Sequence, residues 1–375
     1  MAKFVFCVPR YHTNFVPWVR ILTSAGHEVA VHAITRGVTE NYSLLRPTVL
    51  KESRLSAFLK RFRKDHGVND HYAFPAFWDY WALMVRENPD VVIIRGVTRW
   101  FSRIALVISI LQRRRVVIYD QEDPVPAARS TWVRRAVFGA VGIPHFTARL
   151  PVRPLVPSLG KAEPLPFGAP LGFAKADRGA GDTTPPKLLM VAKYRTRKGH
   201  RTLLQALARL APEYAFSLTL CGEEAGPEDR AFVQCLSELA KSLGISERLR
   251  FENSVPNQRM GALYRAHDLF ILPSRNEPAA VSSIEAAWNG CAILISRDSG
   301  TRGYAPPGPE FDFDPENVDD IVRALRSAFQ SPYHLQDLRT RCHNYISKVA
   351  DDGTILRVFE SLLEGITTKV KKGAK

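Results

Sequence analysis

The stretch whose reading decides the fold is Leu269-Phe270-Ile271-Leu272-Pro273-Ser274-Arg275-Asn276-Glu277-Pro278-Ala279-Ala280-Val281-Ser282-Ser283-Ile284-Glu285. Four consecutive apolar residues closed by a proline read as a short buried strand. The polar, Pro-containing segment after it reads as a loop, and the run beyond Ala280 as a helix start. Glu277 then stands in the loop and Glu285 in the early turns of the helix, eight residues later. Ligands of open α/β sheets bind outside the carboxyl ends of the strands. A carboxylate placed there can accept two hydrogen bonds from a ribose diol, and a second can accept from sugar hydroxyls.

The same strand-then-helix pattern extends in both directions. Upstream lie strands at 187–192, 217–221 and 248–252, with helices at 199–210 and 227–243; downstream lies a strand at 292–296. The first half repeats it, with strands at 4–8, 28–32, 90–94 and 115–119 and helices near 14–25 and 102–112. Gly26 fits the position just past a helix end. Short apolar strands joined by helical crossovers argue for parallel sheets covered on both faces. Residues 174–186 are small, polar and aperiodic, which marks a linker. Residues 315–330 and 334–365 read as helices, and 369–375 as a basic tail. The expected organisation is a first domain at 1–173, the linker, a second domain at 187–345, and a terminal helix with tail at 346–375. Two such units imply a cleft between their sheets.

Composition narrows the classes. At 375 residues and 45% hydrophobic content the chain can bury two cores. The start shows no signal-peptide pattern, and the longest largely apolar stretch, 104–111, is too short to span a bilayer. Cys7, Cys221, Cys235, Cys291 and Cys342 are scattered without metal-ligand spacing, as expected of reduced thiols in a cytoplasmic protein. The net charge of +15 is uneven: residues 1–175 hold 25 Lys and Arg against 12 Asp and Glu, a net of +13. Such a half suits an anionic partner such as a membrane surface or lipid phosphate, or else is a solvated basic face. Nucleic acid is not expected, since no nucleic-acid motif is present and the basic residues are spread over several elements.

Three motifs in register carry a resemblance. They are Val191-Ala192-Lys193-Tyr194-Arg195-Thr196-Arg197-Lys198-Gly199, Pro273-Ser274 with Glu277-Pro278, and Ile284-Glu285-Ala286-Ala287-Trp288-Asn289-Gly290-Cys291-Ala292. They resemble the G-R-x4-K-G, P-S-x2-E-P and L-E-A-M-A-x-G-x-P segments of glycosyltransferase family 4, the retaining group 1 enzymes with the E-x7-E motif. Ala25-Gly26-His27-Glu28-Val29 and Pro166-Phe167-Gly168 resemble family segments of the first half. The resemblance implies a GT-B fold, an α/β architecture of two Rossmann-like domains with parallel sheets facing across a cleft. It also implies transfer of a sugar from a nucleotide-diphosphate donor to a hydroxyl with retention of configuration. The acceptor would be a saccharide, or a lipid-linked saccharide at the inner face of the membrane. The nucleotide sugar would be a co-substrate, with no resident cofactor and no metal.

On the same resemblance, Lys193 and Lys198 hold the two phosphates, Glu285 the ribose hydroxyls and Glu277 the donor-sugar hydroxyls. Ser274, Ala280 and Val281 complete the donor pocket. Cations beside a departing β-phosphate stabilise the charge that builds there. Lys193 stands where the family has Arg, losing the bidentate fork, which Arg195 or Arg197 could supply. Ala279-Ala280 replaces an aromatic-Gly pair. In the first half Pro9–Asn14 replaces a Gly-rich loop, so Arg10 and His12 either contact phosphate or acceptor or shape a turn. Glu122 occupies the place of a histidine that contacts the donor sugar in relatives.

Other features stay open between two readings. Asp312-Phe313-Asp314 spells D-x-D, the metal triplet of the other large glycosyltransferase fold, in a context that suits a loop of helix-capping acids. Ser53–Lys64 sets Leu55, Phe58, Leu59 and Phe62 at helical spacing among Arg54, Lys60, Arg61, Arg63 and Lys64. It is either an interfacial helix on anionic lipid or a crossover helix packed on the sheet. The aromatics Tyr72, Phe74, Phe77, Trp78, Tyr80 and Trp81 are either core or an acceptor platform. Arg113-Arg114-Arg115 reads as a solvated run at a strand entrance.

Overall fold

The computed structural model describes residues 1–36, 40, 42–61, 72–121, 142–150, 163–170 and 185–372, with 60 and 365–372 described in backbone alone. The chain divides into two compact units. The first is built from Met1–Ala148, Pro157–Gly168 and Ala350–Lys375, the second from Arg149–Val156 and Ala169–Val349.

In the first unit seven strands form one parallel sheet: β1 (Lys3–Arg10), β2 (Glu28–Thr35), β3 (Thr48–Val49), β4 (Val91–Arg95), β5 (Arg115–Asp120), β6 (His145–Thr147) and β7 (Glu163–Pro164). Their order is β3-β2-β1-β4-β5-β6-β7. Crossovers include α1 (Val16–Ser24), α2 (Arg54–Lys60), α3 (Phe77–Glu87) and α4 (Trp100–Leu111). Successive residues of β1 point to opposite faces. Val5 and Cys7 meet Tyr80 and Met84 of α3 and Phe101, Ala105 and Ile108 of α4. Phe4 and Phe6 face the other way, where Trp18 of α1 stacks on Phe167 with centroids 6.1 Å apart. Trp18 also donates its indole N–H to Pro166 O at 2.7 Å. At Gly168 an added Cβ would lie 2.8 Å from Pro17. Pro166-Phe167-Gly168 thus fastens the edge of this unit to α1.

The second unit repeats the architecture with β8 (Lys187–Val191), β9 (Ser217–Gly222), β10 (Leu249–Asn253), β11 (Leu269–Leu272), β12 (Ala292–Ser296) and β13 (Asp312–Phe313). The order is β10-β9-β8-β11-β12-β13, again with all neighbours parallel. Its helices are α5 (His200–Leu210), α6 (Pro227–Ser242), α7 (Asn257–Arg265), α8 (Val281–Trp288), α9 (Val318–Ala328) and α10 (Pro332–Val349). In both units the order reverses at one pair, β1/β4 and β8/β11. Such a switch point opens a crevice at the carboxyl ends of those strands.

Three expectations are corrected. The single helix read over 334–365 is two, α10 and α11 (Asp352–Lys372), broken at Ala350-Asp351. Asp351 accepts from the Thr354 N–H at 2.7 Å, an N-terminal cap that ends one helix and starts the next. The hydrogen bonds from Thr354 hold the Asp351 carboxyl below the usual range. α11 packs with the first unit, where Phe359 lies 6.0 Å from Phe4 and Arg20 grips Asp352 through two bonds of 2.6 and 2.8 Å. Second, the first sheet has three further short strands, β3 and β7 at its edges and β6 between β5 and β7, too brief for periodicity to reveal. Third, of the two readings left open for α2, the one that packs its apolar stripe on the sheet does not hold for Leu55, Phe58 and Leu59, which are exposed; Phe62, Arg63 and Lys64 lie outside the described residues. Of the aromatic cluster, Tyr80 is core, Phe77 and Trp81 pack against that core, and Trp78 is exposed. Within the core Tyr80 OH lies 3.1 Å from Cys7 Sγ and 3.3 Å from His32 Nδ1. Burial pushes the Cys7 thiol up to about 12 and the His32 imidazole down to about 4, so both are neutral at pH 7. The five cysteines are free thiols.

Candidate functional site

In the second unit the loops after β8 and β11 flank the switch point, and they are tied to each other. Gly199 ends the first loop with φ +76°, and a Cβ there would lie 2.0 Å from Pro273 O. Only glycine fits where the two backbones pass. Arg275 N–H donates to Arg197 O at 2.8 Å, a second strap between the loops. This close approach brings Lys198 to Glu277. The Lys198 ammonium donates to Glu277 Oε2, which also accepts from Ser274 Oγ at 2.8 Å and Arg197 Nη1 at 3.1 Å. Ser274 is itself held through its carbonyl, which accepts from Ser296 Oγ at 2.6 Å.

The electrostatics follow from burial. Both side chains are largely covered, Glu277 at 6% and Lys198 at 11% exposure. Burial alone would push the Glu277 carboxyl up. The charge and hydrogen bond of Lys198, the Ser274 hydroxyl and the charge of Arg197 together outweigh it and hold the carboxyl below its ordinary range. Burial pushes the Lys198 ammonium down, and the nearby Arg197 adds to this against the opposing pull of Glu277. The result is a largely covered lysine in the loop after β8 whose partner is a protein carboxylate.

The remaining predicted donor-site residues are placed as follows. Glu285 stands on α8 and accepts from Tyr264 OH at 2.7 Å. Ala280 is buried and caps α8 with φ −86°, so an alanine serves there without strain. Ser282, beside Val281 in the first turn of α8, donates to Val191 O at 3.3 Å and so ties that turn to the end of β8. Lys193 points elsewhere: its side chain is 62% exposed and its ammonium lies 3.5 Å from Glu223. Of the two arginines that could supply a fork, Arg195 is engaged with Asp229 and the Tyr194 carbonyl, while Arg197 joins the Glu277 cluster. Asp312 of the D-x-D triplet binds Arg302 at 2.6 Å, and Asp314 accepts from Glu316 N–H at 2.9 Å.

Sequence reasoning missed Tyr264, because α7 itself was not read. Met260, Leu263 and Tyr264 at helical spacing were the available signal. It also missed Gly300, whose N–H donates to Glu277 O at 2.7 Å and whose Cβ would lie 1.8 Å from Pro278 O. The β12 loop therefore closes over the Glu277-Pro278 turn.

In the first unit Arg10 and His12 follow β1 and come together around Glu40. Arg10 Nη2 lies 3.8 Å and His12 Nδ1 3.2 Å from Glu40 Oε1, and Thr13 Oγ1 donates to Oε2 at 2.6 Å. Burial pushes the His12 imidazole down. Burial would raise the Glu40 carboxyl, but the bonds from His12 and Thr13 hold it low. These groups form a cluster at the carboxyl end of β1 in which Arg10, His12 and Thr13 face the chain's own Glu40 carboxylate. Glu122 lies outside the described residues.

Comparisons with known proteins bear on the family and the fold. Residues 174–349 match the family described as glycosyl transferases group 1. Mannosylfructose-phosphate synthase of Agrobacterium fabrum is 31% identical over 147 residues, 38% of this chain and 32% of that protein. The chain thus matches about a third of the length of this curated relative. Among solved structures, a glycosyltransferase from Rickettsia africae superposes with a TM-score of 0.73 at 14% identity, over 97% of this chain and 99% of the other. Anabaena HepE in complex with UDP-glucose gives 0.67 at 15% identity, over 98% and 100%. By its second half the chain resembles the group 1 glycosyltransferases, and over its length it has their GT-B type of fold, two parallel-sheet α/β units.

Proposed function

We propose that the chain is a retaining glycosyltransferase that moves a sugar from a nucleotide-diphosphate donor to an acceptor hydroxyl. The observation that carries this reading is the Lys198–Glu277–Arg197–Ser274 constellation at the β8/β11 switch point, with Glu277 eight residues ahead of Glu285. A diphosphate entering there competes with Glu277 for Lys198 and Arg197, and exposed Lys193 can swing to it. The charge on a departing nucleotide is then met by side-chain cations in a partly dry site. Glu277, released from Lys198, accepts from donor-sugar hydroxyls, and Glu285 accepts from the ribose. A solved neighbour with UDP-glucose bound supports the donor class.

In this reading residues 187–345 form the donor domain and 1–173 the acceptor domain, joined by 174–186. The acceptor is a saccharide or lipid-linked saccharide met at the inner membrane face, with Arg10 and His12 contacting it once Glu40 is displaced. The charges are supplied by lysine and arginine, so no metal is required. A second reading, a non-catalytic nucleotide-sugar binder, is motivated by Glu122 in the histidine's place and by the Pro9–Asn14 loop.

The test is thermal shift of the full chain against UDP, GDP, ADP and their sugar conjugates, with Glu285→Ala alongside. A nucleotide at about 100 times its dissociation constant adds roughly 2.7 kcal/mol. Stabilisation by one nucleotide that weakens in the variant supports the donor site, and no stabilisation by any of them sinks it. Donor binding without transfer to any membrane or saccharide acceptor favours the second reading.

A further inference from the structure

The outward faces of α3 and α4 are apolar where a helix covering a sheet is ordinarily polar. α4 turns Phe101, Ala105 and Ile108 toward the sheet. Its other side presents Trp100, Val107, Ile110 and Leu111, the last 60% exposed. The positions 100, 107 and 111 fall on one helical stripe. α3 behaves alike: Tyr80, Leu83 and Met84 go inward, while Trp78, 74% exposed, and Val85 go outward. Both helices feed one core cluster and therefore cover the same side of the sheet. Gln112 just past α4 donates to Trp81 O of α3 at 3.0 Å, joining the two. α2 extends the surface with exposed Leu55 and Leu59. It is held to the others because Ser53 N–H donates to Phe74 O at 2.9 Å and the Phe74 ring lies 6.1 Å from Trp100.

Cations edge this surface. Arg54, Arg61, Arg86 and Arg113 are exposed, and the Arg103 guanidinium lies 5.5 Å over the Trp100 ring. Asp79 is an exposed acid beside them. Tryptophan and leucine beside arginine match the water–lipid boundary, where aromatic rings sit at headgroup depth and cations meet lipid phosphates. A second copy of the chain would bring the same arginine-edged face to this one. Among the described residues no helix is long and apolar enough to cross a membrane, so such contact would be peripheral.

We propose that the α2–α3–α4 face docks the first unit onto an anionic lipid bilayer, with Trp78, Trp100, Val107, Leu111 and Leu55 entering the headgroup boundary and the arginines meeting lipid phosphates. Docking of this kind would bring the acceptor domain to a lipid-linked saccharide, and so it rests on the reading above for its purpose. The measurement does not: it reads neither donor binding nor turnover, and the two ideas fail separately.

The experiment is co-sedimentation of the full chain with phosphatidylcholine vesicles, with and without phosphatidylglycerol. The chain should sediment with the anionic vesicles, remain in solution with phosphatidylcholine alone, and be released by salt. Arg54→Gln/Arg86→Gln/Arg113→Gln should weaken partitioning about a hundredfold. Trp78→Ser/Leu111→Ser should weaken it by about tenfold or more. Both variants alter outward side chains, so an unchanged melting temperature verifies that they fold. Absence of partitioning, or equal partitioning to both vesicle types, overturns the proposal. So does light scattering that finds a dimer dissolved by Trp78→Ser/Leu111→Ser, since the face would then belong to a second copy.

Discussion

Replacing Lys198 with methionine keeps most of the length of the side chain and deletes its charge. Glu277, 6% exposed, then loses the partner that holds its carboxyl low and keeps Ser274 Oγ at 2.8 Å and half-exposed Arg197 at 3.1 Å. Removing one member of a buried pair costs roughly 3–5 kcal/mol. The two remaining donors reduce this, and we expect about 3 kcal/mol for Lys198→Met. Glu277→Gln leaves a covered ammonium but keeps an acceptor, for about 2 kcal/mol. The double variant Lys198→Met/Glu277→Gln leaves no covered charge unpaired and should lie within about 1 kcal/mol of wild type, against a sum of about 5 kcal/mol for the singles, so the two should be non-additive by about 4 kcal/mol. The assay is urea unfolding by circular dichroism, following the transition that the variants shift, because two units can unfold in separate steps. The pH arm has a definite sign. Glu277 is depressed in the folded state, so its stabilisation is present above the ordinary glutamate range and is lost as pH falls through and below that range. Glu277→Gln should remove that part of the acid dependence. Both single variants within about 0.5 kcal/mol of wild type, or additive effects in the double, would refute the argument that the pair is formed and covered in solution.

Other changes test neighbouring links. Gly199→Ala places a Cβ 2.0 Å from Pro273 O at φ +76°, and should cost upwards of about 2 kcal/mol and abolish any nucleotide-induced thermal shift. Tyr264→Phe removes the donor that orients Glu285, and should reduce the nucleotide-induced shift while lowering stability by only about 1 kcal/mol. Trp18→Phe strips the indole donor from Pro166 O and opens space beside Phe167; urea unfolding should show a loss of about 2 kcal/mol. Arg20→Ala removes the grip on Asp352 and should lower the midpoint only slightly, by about 1 kcal/mol, because the pair is partly solvated.

Much of the fold was legible because its strands are short, apolar and regularly spaced. Runs such as Phe4–Val8 and Leu269–Leu272 can only be covered on both faces, which in a chain of this length means parallel sheets between helices. Gly26, with φ +81°, could be placed at a helix end from local chemistry alone. Lys198 and Glu277 were expected in one site from the family resemblance of their segments, and the structure sets them side by side; Glu285, expected there on the same ground, meets Tyr264. α7 escaped, since its apolar residues are few, and so did the Asp351 cap, since the helical periodicity on either side of it masks a break. Strands of two or three residues carry no periodicity of their own; their neighbours define them.

Local spacing thus determined which loops carry the candidate residues, because strand ends and helix starts are set by near neighbours in the chain. It could not determine which charges pair. Lys193 and Lys198 look equivalent in sequence, five residues apart on one basic loop. The contact of Gly199 with Pro273 sends Lys198 inward to Glu277, while Lys193 stays in solvent beside Glu223. Likewise only packing decided that α11 belongs with the first unit, by setting Phe359 against Phe4 and Trp18, and that the outer stripe of α4 stays uncovered. Those outcomes depend on residues tens or hundreds of positions apart meeting in space, which sequence spacing does not encode.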